Sequence, residues 1–190
     1  RVARHFHLPL QSGSEGVLSR MNRPYGPVEY RDIAGDIARR FPDAAIGADV
    51  IVGFPGETEE EFQETFSLIE RSPVNYLHVF SYSDRQGTAA SAMTPKIHPE
   101  VIHARSLLLR ELGERKRTEF RENLRGSEQL ALVLKERNDD GRLVGLTGNY
   151  QEILLPLEES SINRFVRARL SRAGVNSRWE VVECSPEDDA

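Results

Sequence analysis

Asp49 is the only charged residue in an otherwise apolar run, Ile46 to Val52, and that placement is the first chemical signal in the chain. In an extended strand Ile46, Ala48, Val50 and Val52 share one face, and Gly47, Asp49, Ile51 and Gly53 share the other. A lone carboxylate on a strand buried on both faces is expensive. Asp49 therefore has a buried partner or faces a polar cavity, or a neighbouring strand's loop holds it by hydrogen bonds. Two further strand patterns present polar groups in the same alternating way. His5, His7, Pro9 and Gln11 oppose Phe6, Leu8 and Leu10, and His78, Phe80 and Tyr82 share one side of Tyr76–Tyr82. These groups can hydrogen-bond or exchange protons, but no paired-carboxylate or nucleophile motif accompanies them.

The elements that must position these groups follow from local pattern. The Asp49 strand stops at Gly53-Phe54-Pro55-Gly56 and passes into a helix. Thr58 as N-cap and Glu61 three residues on form a capping box, Glu59, Glu60 and Glu61 suit the helix dipole, and Phe62, Phe66 and Ile69 make one apolar face. The glycine loop has neither GxGxxG spacing nor a Lys-Ser/Thr pair, so it is not a nucleotide-phosphate fingerprint. A short helix carrying Val17, Leu18 and Met21 follows the first strand. A second, from about Val28 to Phe41, has Ile33, Ala34, Ile37 and Phe41 as its expected core stripe. The order β-α-β-α-β predicts parallel strands with right-handed crossovers, and ligands at the strands' carboxyl ends. Each strand pairs an aliphatic face with a polar or aromatic one. This favours part of a (β/α) barrel over a doubly wound sheet, whose two faces would both be aliphatic. Three strands cannot close a barrel, so the rest is expected upstream of residue 1.

At 190 residues, 38% hydrophobic and 29% charged, the chain reads as globular, in one large or two small domains. No apolar run approaches bilayer length, so no membrane partner is expected. The start lacks an initiator Met and the apolar core of a signal peptide, which suggests a piece of a longer protein. Cys184 is the only cysteine, so the chain offers neither an intramolecular disulfide nor a thiolate set for zinc or a cluster, and no metal ligands are expected in it. A reducing cytoplasm is the expected location. The net charge of −5 gives no global case for nucleic-acid binding.

Pro99 opens a long helix to about Leu124, with Ile102, Leu109, Leu112, Phe120 and Leu124 near one stripe. Its basic and acidic residues interleave, as on a solvated face laced with ion pairs. Gly126 is the expected boundary. Beyond it five short strands with turn signals predict a small antiparallel barrel. The span Ile162–Val182 sets Arg164, Arg167, Arg169, Arg172 and Arg178 against Glu180 alone. With Trp179 and Tyr150 nearby these can track phosphates and stack bases, or simply face solvent on alternate strand positions.

Four blocks, in order, closely resemble the radical S-adenosylmethionine methylthiotransferases. They are His7-Leu8-Pro9-Leu10-Gln11-Ser12-Gly13-Ser14, then Met21-Asn22-Arg23, then Asp49-Val50-Ile51-Val52-Gly53-Phe54-Pro55-Gly56-Glu57-Thr58, then Phe80-Ser81-Tyr82-Ser83 with Arg85, Gly87, Thr88 and Ala89. The resemblance implies an α/β fold: the later part of a partial TIM-like radical SAM barrel with a long connecting helix over 1–125, a TRAM-like RNA-binding β-barrel over 126–183, and an acidic tail over 184–190. Leu146-Thr147-Gly148-Asn149-Tyr150 with Glu152 looks most like the branch that modifies N6-threonylcarbamoyladenosine in tRNA. The branches acting on isopentenyladenosine or on a ribosomal protein, and an RNA-binding module without catalysis, are the alternatives.

Family members cleave S-adenosylmethionine at an iron–sulfur cluster and methylthiolate a carbon of their target. The resemblance thus implies S-adenosyl-L-methionine, two [4Fe–4S] clusters in the full-length protein with ligands absent here, a sulfur donor, an electron donor, and tRNA bound through its anticodon stem-loop. This chain alone is expected to be inactive. What it retains resembles the cosubstrate wall. Gln11 and Ser12 would meet the ribose or methionyl group, Arg23 the methionyl carboxylate, and Ile51, Val52 and Gly53 the adenosine. Phe80, Tyr82 and Ser83 would border the adenine, while Asp49, with His7 and His78, would line the lumen. No catalytic residue is assigned.

Overall fold

The computed structural model describes residues 3–173 and 178–186, which fall into two compact units, Phe6–Thr118 and Glu119 onward with the first residues up to His5. The sheet of the first unit has the order β1 (His5–His7), β2 (Ala45–Val52) and β3 (Tyr76–Ser81). β2 and β3 run parallel, with Asp49 opposite His78 and Ile51 opposite Phe80. Chain beyond β1 continues alongside β2: Leu8 donates to Gly47 O, Gln11 to Asp49 O, and Ile51 to Gln11 O.

Helices α1 (Glu15–Arg20), α2 (Pro27–Arg40), α3 (Glu59–Arg71), α4 (Ala89–Ala92) and α5 (Pro99–Leu124) intervene. Ile46, Ala48, Val50 and Val52 of β2 form one buried cluster with Leu10, Tyr30, Ala34, Phe62, Ile69, Leu109 and Leu112. The aliphatic face thus meets the helices, as the alternation predicts, and the polar face looks away from them. On α2 the buried positions are Tyr30 and Ala34, while Ile33 and Phe41 are exposed. The tyrosine displaces the expected stripe by one turn because its hydroxyl reaches Leu8 O at 3.0 Å. Among the predicted capping contacts, Thr58 Oγ1 accepts the Glu61 N–H at 3.2 Å and Glu61 Oε2 accepts the Thr58 N–H at 2.9 Å.

The α5 surface is not wholly solvated. Arg105 is buried, donating through Nη1 to Glu57 Oε2 at 2.9 Å and through Nη2 to Glu59 Oε2 at 2.9 Å, with its guanidinium over the Phe62 ring.

The second unit is a closed barrel of β4 (Glu128–Arg137), β5 (Leu143–Thr147), β6 (Glu152–Leu155), β7 (Phe165–Ala173) and β8 (Trp179–Pro186), in the order β4-β5-β6-β8-β7. Four pairings are antiparallel, but β6 and β8 run parallel, so the barrel is not antiparallel throughout. Gly126 takes φ +77° just after α5, and its N–H reaches Leu170 O at 2.8 Å, a glycine helix stop that feeds the barrel. Of the stretch expected as an acidic tail, Cys184–Pro186 continue β8, and 187–190 lie outside the described residues.

Removing one partner of a buried ion pair leaves the other charge uncompensated. Arg105→Ala is expected to lower the stability of the first unit by about 3–5 kcal/mol in chemical denaturation, and Arg105→Met with Glu57→Gln to lose clearly less. The hydrogen bond from Arg20 to Glu61 outweighs desolvation and holds that carboxyl below its ordinary range. Its stabilisation is therefore present above the unfolded-state pKa and is lost as pH falls through the lower folded-state value. Glu61→Gln should cost about 1 kcal/mol at pH 7, and the gap to wild type should close in denaturation curves taken well below pH 4.

Candidate functional site

At the carboxyl ends of the strands lies a cavity of about 610 Å³. Its walls come from three sources: the turn after β1 with α1 and its following loop, the end of β2, and the segment from the end of β3 to α4. Gln11 sits there with φ +67°, a left-handed backbone that non-glycine residues rarely adopt. Two bonds to β2 fix it, Gln11 N–H to Asp49 O and Ile51 N–H to Gln11 O. Strain of this kind clusters at ligand sites. Asn22, also in the wall, takes φ +55°.

Of the residues predicted to contact a cosubstrate, Gln11, Arg23, Asp49, Ile51, Phe80, Tyr82 and Ser83 all line this cavity. Ser12, Val52 and Gly53 do not. Ser12 is fully buried, its hydroxyl 3.1 Å from that of Thr65, so it ties the first turn to α3. Val52 points into the aliphatic core, as its strand parity requires. Gly53 supports the wall from behind: its φ is +80°, its N–H reaches Glu57 Oε2 at 2.9 Å, and a Cβ there would stand 2.4 Å from Ile102 Cγ1. Only glycine fits.

Several wall residues escaped the sequence reading. Arg20 lines the cavity while pairing with Glu61 at 2.7 Å and donating to Gly56 O at 3.3 Å. Phe54 meets Tyr82 edge-on with ring centroids 5.6 Å apart. Arg85 lines the wall, exposed, and neither it nor Arg23 has an ion pair among the described residues. Arg85 had a sequence signal, because it lies in the Phe80–Ala89 block that carries the resemblance. Glu57 and Arg105 had no comparable signal, being 48 residues apart. Burial pushes the Glu57 carboxyl up, against the Gly53 N–H and the Arg105 guanidinium that pull it down.

One residue layer below the cavity, on the same face, His7 Nε2 and His78 Nδ1 stand 3.0 and 3.1 Å from a single oxygen, Asp49 Oδ1. Asp49 thus has partners, supplied by the adjacent strands rather than by a loop. The donor atoms of the three lie within 4.8 Å of one another, although no metal ligands were expected here.

On the barrel, the predicted arginine surface is largely paired. Arg167 meets Glu128 at 3.3 Å, Arg169 meets Glu183 at 3.3 Å, and Arg178 binds both Glu152 at 2.7 Å and Glu136. Arg164 and Arg172 are exposed and carry no ion pair among the described residues. Trp179 is no stacking platform: it is 1% exposed, in the barrel core, with Arg121 over its ring at 5.1 Å. Tyr150 is exposed but stacks on His5, centroids 4.2 Å apart. Phe165, beside Arg164, is the exposed aromatic that the pattern missed.

The cavity suits a molecule with a flat base and a carboxylate. It has apolar and aromatic surface at Ile51, Phe54, Phe80 and Tyr82, amide and hydroxyl groups at Gln11 and Ser83, and two arginines without ion-pair partners. A parallel α/β sheet carrying such a cavity at its strand ends, with a small barrel after it, defines the class, and residues 2–69 match the radical SAM superfamily. The chain is similar to the threonylcarbamoyladenosine tRNA methylthiotransferase of Aquifex aeolicus, 46% identical over 153 residues, which cover 80% of this chain and 36% of the relative. The corresponding Bacillus subtilis enzyme is 35% identical, over 92% of this chain and 39% of its own length. The tRNA-2-methylthio-N(6)-dimethylallyladenosine synthase of Symbiobacterium thermophilum is 39% identical, over 92% and 37%. The chain belongs to the radical SAM methylthiotransferase family, and it spans well under half the length of these curated relatives. The family implies S-adenosylmethionine and iron–sulfur clusters. The cavity wall fits the former. For the latter, this chain's 190 residues offer one thiol, Cys184, where a cluster takes three or four.

An RNA-binding role for the barrel would rest on the exposed arginines that form no ion pair among the described residues, Arg164 and Arg172, the latter opposite Glu180. Arg164→Ala and Arg172→Ala should each weaken RNA binding and lower the slope of log K against log salt by about 1. Arg178→Ala, which breaks two ion pairs, should leave the slope unchanged in the same titration.

Proposed function

We propose that this chain supplies the S-adenosylmethionine wall and the RNA-binding barrel of a tRNA methylthiotransferase acting on N6-threonylcarbamoyladenosine beside the anticodon. Residues 1–125 form the radical SAM part and 126–183 the TRAM-like part. The observation that carries the reading is the convergence of Gln11, Arg23, Ile51, Phe80, Tyr82 and Ser83 on one cavity, in a chain 46% identical to an enzyme of that name. S-adenosylmethionine held in this cavity would supply radical chemistry once a reduced iron–sulfur cluster of the complete protein is in place. The two clusters, the sulfur donor and the electron donor belong to the complete protein.

The chain's own residues bind and orient. The Arg23 guanidinium offers a carboxylate a charge-assisted pair. Phe80 and Tyr82 give a flat base an aromatic border, and the edge-on contact with Phe54 fixes the Tyr82 ring. Gln11 presents its amide from a backbone already locked to β2, so little ordering remains to be done on binding. In the barrel, Arg164 and Arg172 meet phosphates, and Phe165 offers a stacking face.

The test uses the complete gene product, reconstituted anaerobically with iron and sulfide. It should cleave S-adenosylmethionine to 5′-deoxyadenosine, and it should restore 2-methylthio-N6-threonylcarbamoyladenosine in tRNA from cells lacking that nucleoside. Arg23→Ala should weaken S-adenosylmethionine binding about tenfold or more while tRNA binding is unchanged. Methylthiolation of isopentenyladenosine instead would overturn the branch, and absence of cleavage would overturn the enzyme.

A further inference from the structure

The geometry points to a divalent metal site built from His7, Asp49 and His78. Each residue comes from a different strand of one rigid sheet: Asp49 is directly opposite His78 on β3, and His7 precedes the Leu8 that bonds Gly47. Two imidazole nitrogens converge on one carboxylate oxygen, at 3.0 and 3.1 Å. Ligand atoms about 2.1 Å from a shared ion and at right angles to each other stand ~3 Å apart, the separation of each imidazole nitrogen from Asp49 Oδ1, and all three ligand atoms lie within 4.8 Å of one another. Two histidines and one carboxylate leave further coordination positions open, as in sites that take Fe(II), Mn(II), Co(II) or Zn(II).

Metal-binding histidines usually use their second nitrogen to fix the ring. His7 does so here, with Nδ1 at 3.4 Å from the Tyr76 hydroxyl. Gly47 makes this arrangement possible: a Cβ at that position would stand 1.9 Å from the Tyr76 ring. The side chains are 33%, 25% and 56% exposed, so an ion and its remaining ligands have access. Because Asp49 also lines the cavity above, the open positions adjoin it, and an oxygen donor held in the cavity could complete the shell. The alternative is a hydrogen-bonded cluster in which both imidazoles donate to Asp49 and no ion binds. This inference does not depend on the methylthiotransferase reading.

Titration of the 190-residue chain with Co(II), followed by its visible absorption, separates the two. One equivalent should bind, with affinity reduced at least tenfold in Asp49→Asn and in His78→Ala, and less severely in Tyr76→Phe. Amide spectra of the unmutated chain give a check that does not depend on variant folding. Paramagnetic broadening should centre on residues 6–8, 48–50 and 77–79. No uptake by the unmutated chain, uptake undiminished in Asp49→Asn, or broadening centred elsewhere would each overturn the site.

Discussion

The buried pair of Arg105 and Glu57 is the contact on which the cavity's shape depends. A guanidinium and a carboxylate out of water are each costly, and their attraction offsets that only when the remaining hydrogen-bonding positions are filled. Here they are. Arg105 Nη1 takes Glu57 Oε2 and the Glu57 carbonyl, its other nitrogens take Glu59, and Glu57 Oε2 also accepts the Gly53 N–H. The network therefore joins the long helix, the first turn of α3 and the glycine that ends β2. Were the pair absent, the Gly53–Gly56 turn would keep its own Glu57 N–H to Phe54 O bond, the Gly56 N–H to Pro95 O contact and the Arg20 bond to Gly56 O, but lose its tie to the long helix. Phe54, and with it the orientation of Tyr82, would then have less to define it.

Much of this was legible because strand periodicity is local. Each strand's split into aliphatic and polar faces predicted which side meets helices and which lines a cavity, and seven of the ten residues expected to contact a cosubstrate stand in one cavity wall. Ser12, Val52 and Gly53 stand outside that wall for a common reason. Parity turns Val52 into the core, and the turns beyond Gln11 and Val52 fold Ser12 and Gly53 behind the wall. Arg105 was lost differently. Its partner lies 48 residues away, and nothing in a helix rich in interleaved charges distinguishes the one guanidinium that is buried.

The barrel shows the same limit in its electrostatics. A window over Ile162–Val182 counts five arginines and one glutamate, but strand neighbours in a barrel are distant in sequence. Glu128, Glu136 and Glu152 come from β4 and β6, and Glu183 lies just past the window. Even Glu180, the one acid counted, forms its ion pair with Arg142 from before β5, while Arg172, opposite it on β7, acts on it only through a weaker charge interaction. Net charge in a segment is thus a poor measure of the field a folded sheet presents. The useful remainder is Arg164 and Arg172, the two guanidiniums of the window that form no ion pair among the described residues, Arg172 facing Glu180 across the strands. Trp179 follows the same logic: a large aromatic in a small barrel is used first to fill it.

Asp49 belongs to two layers of the polar face, through different atoms. Its carbonyl oxygen accepts from Gln11 N and so fixes the strained residue at the cavity mouth, while its side chain gathers His7 and His78 one layer below. A backbone bond survives any side-chain change that the strand tolerates, whereas the side-chain cluster depends on a carboxylate. The two layers are therefore separable in chemistry even though they share a residue. An amide at position 49 leaves the geometry of Gln11 in place and removes the charge on which both imidazoles converge. The strand's aliphatic face, which packs on the helices, is indifferent to that exchange. The backbone and the side chain of one residue thus serve different layers of the same face.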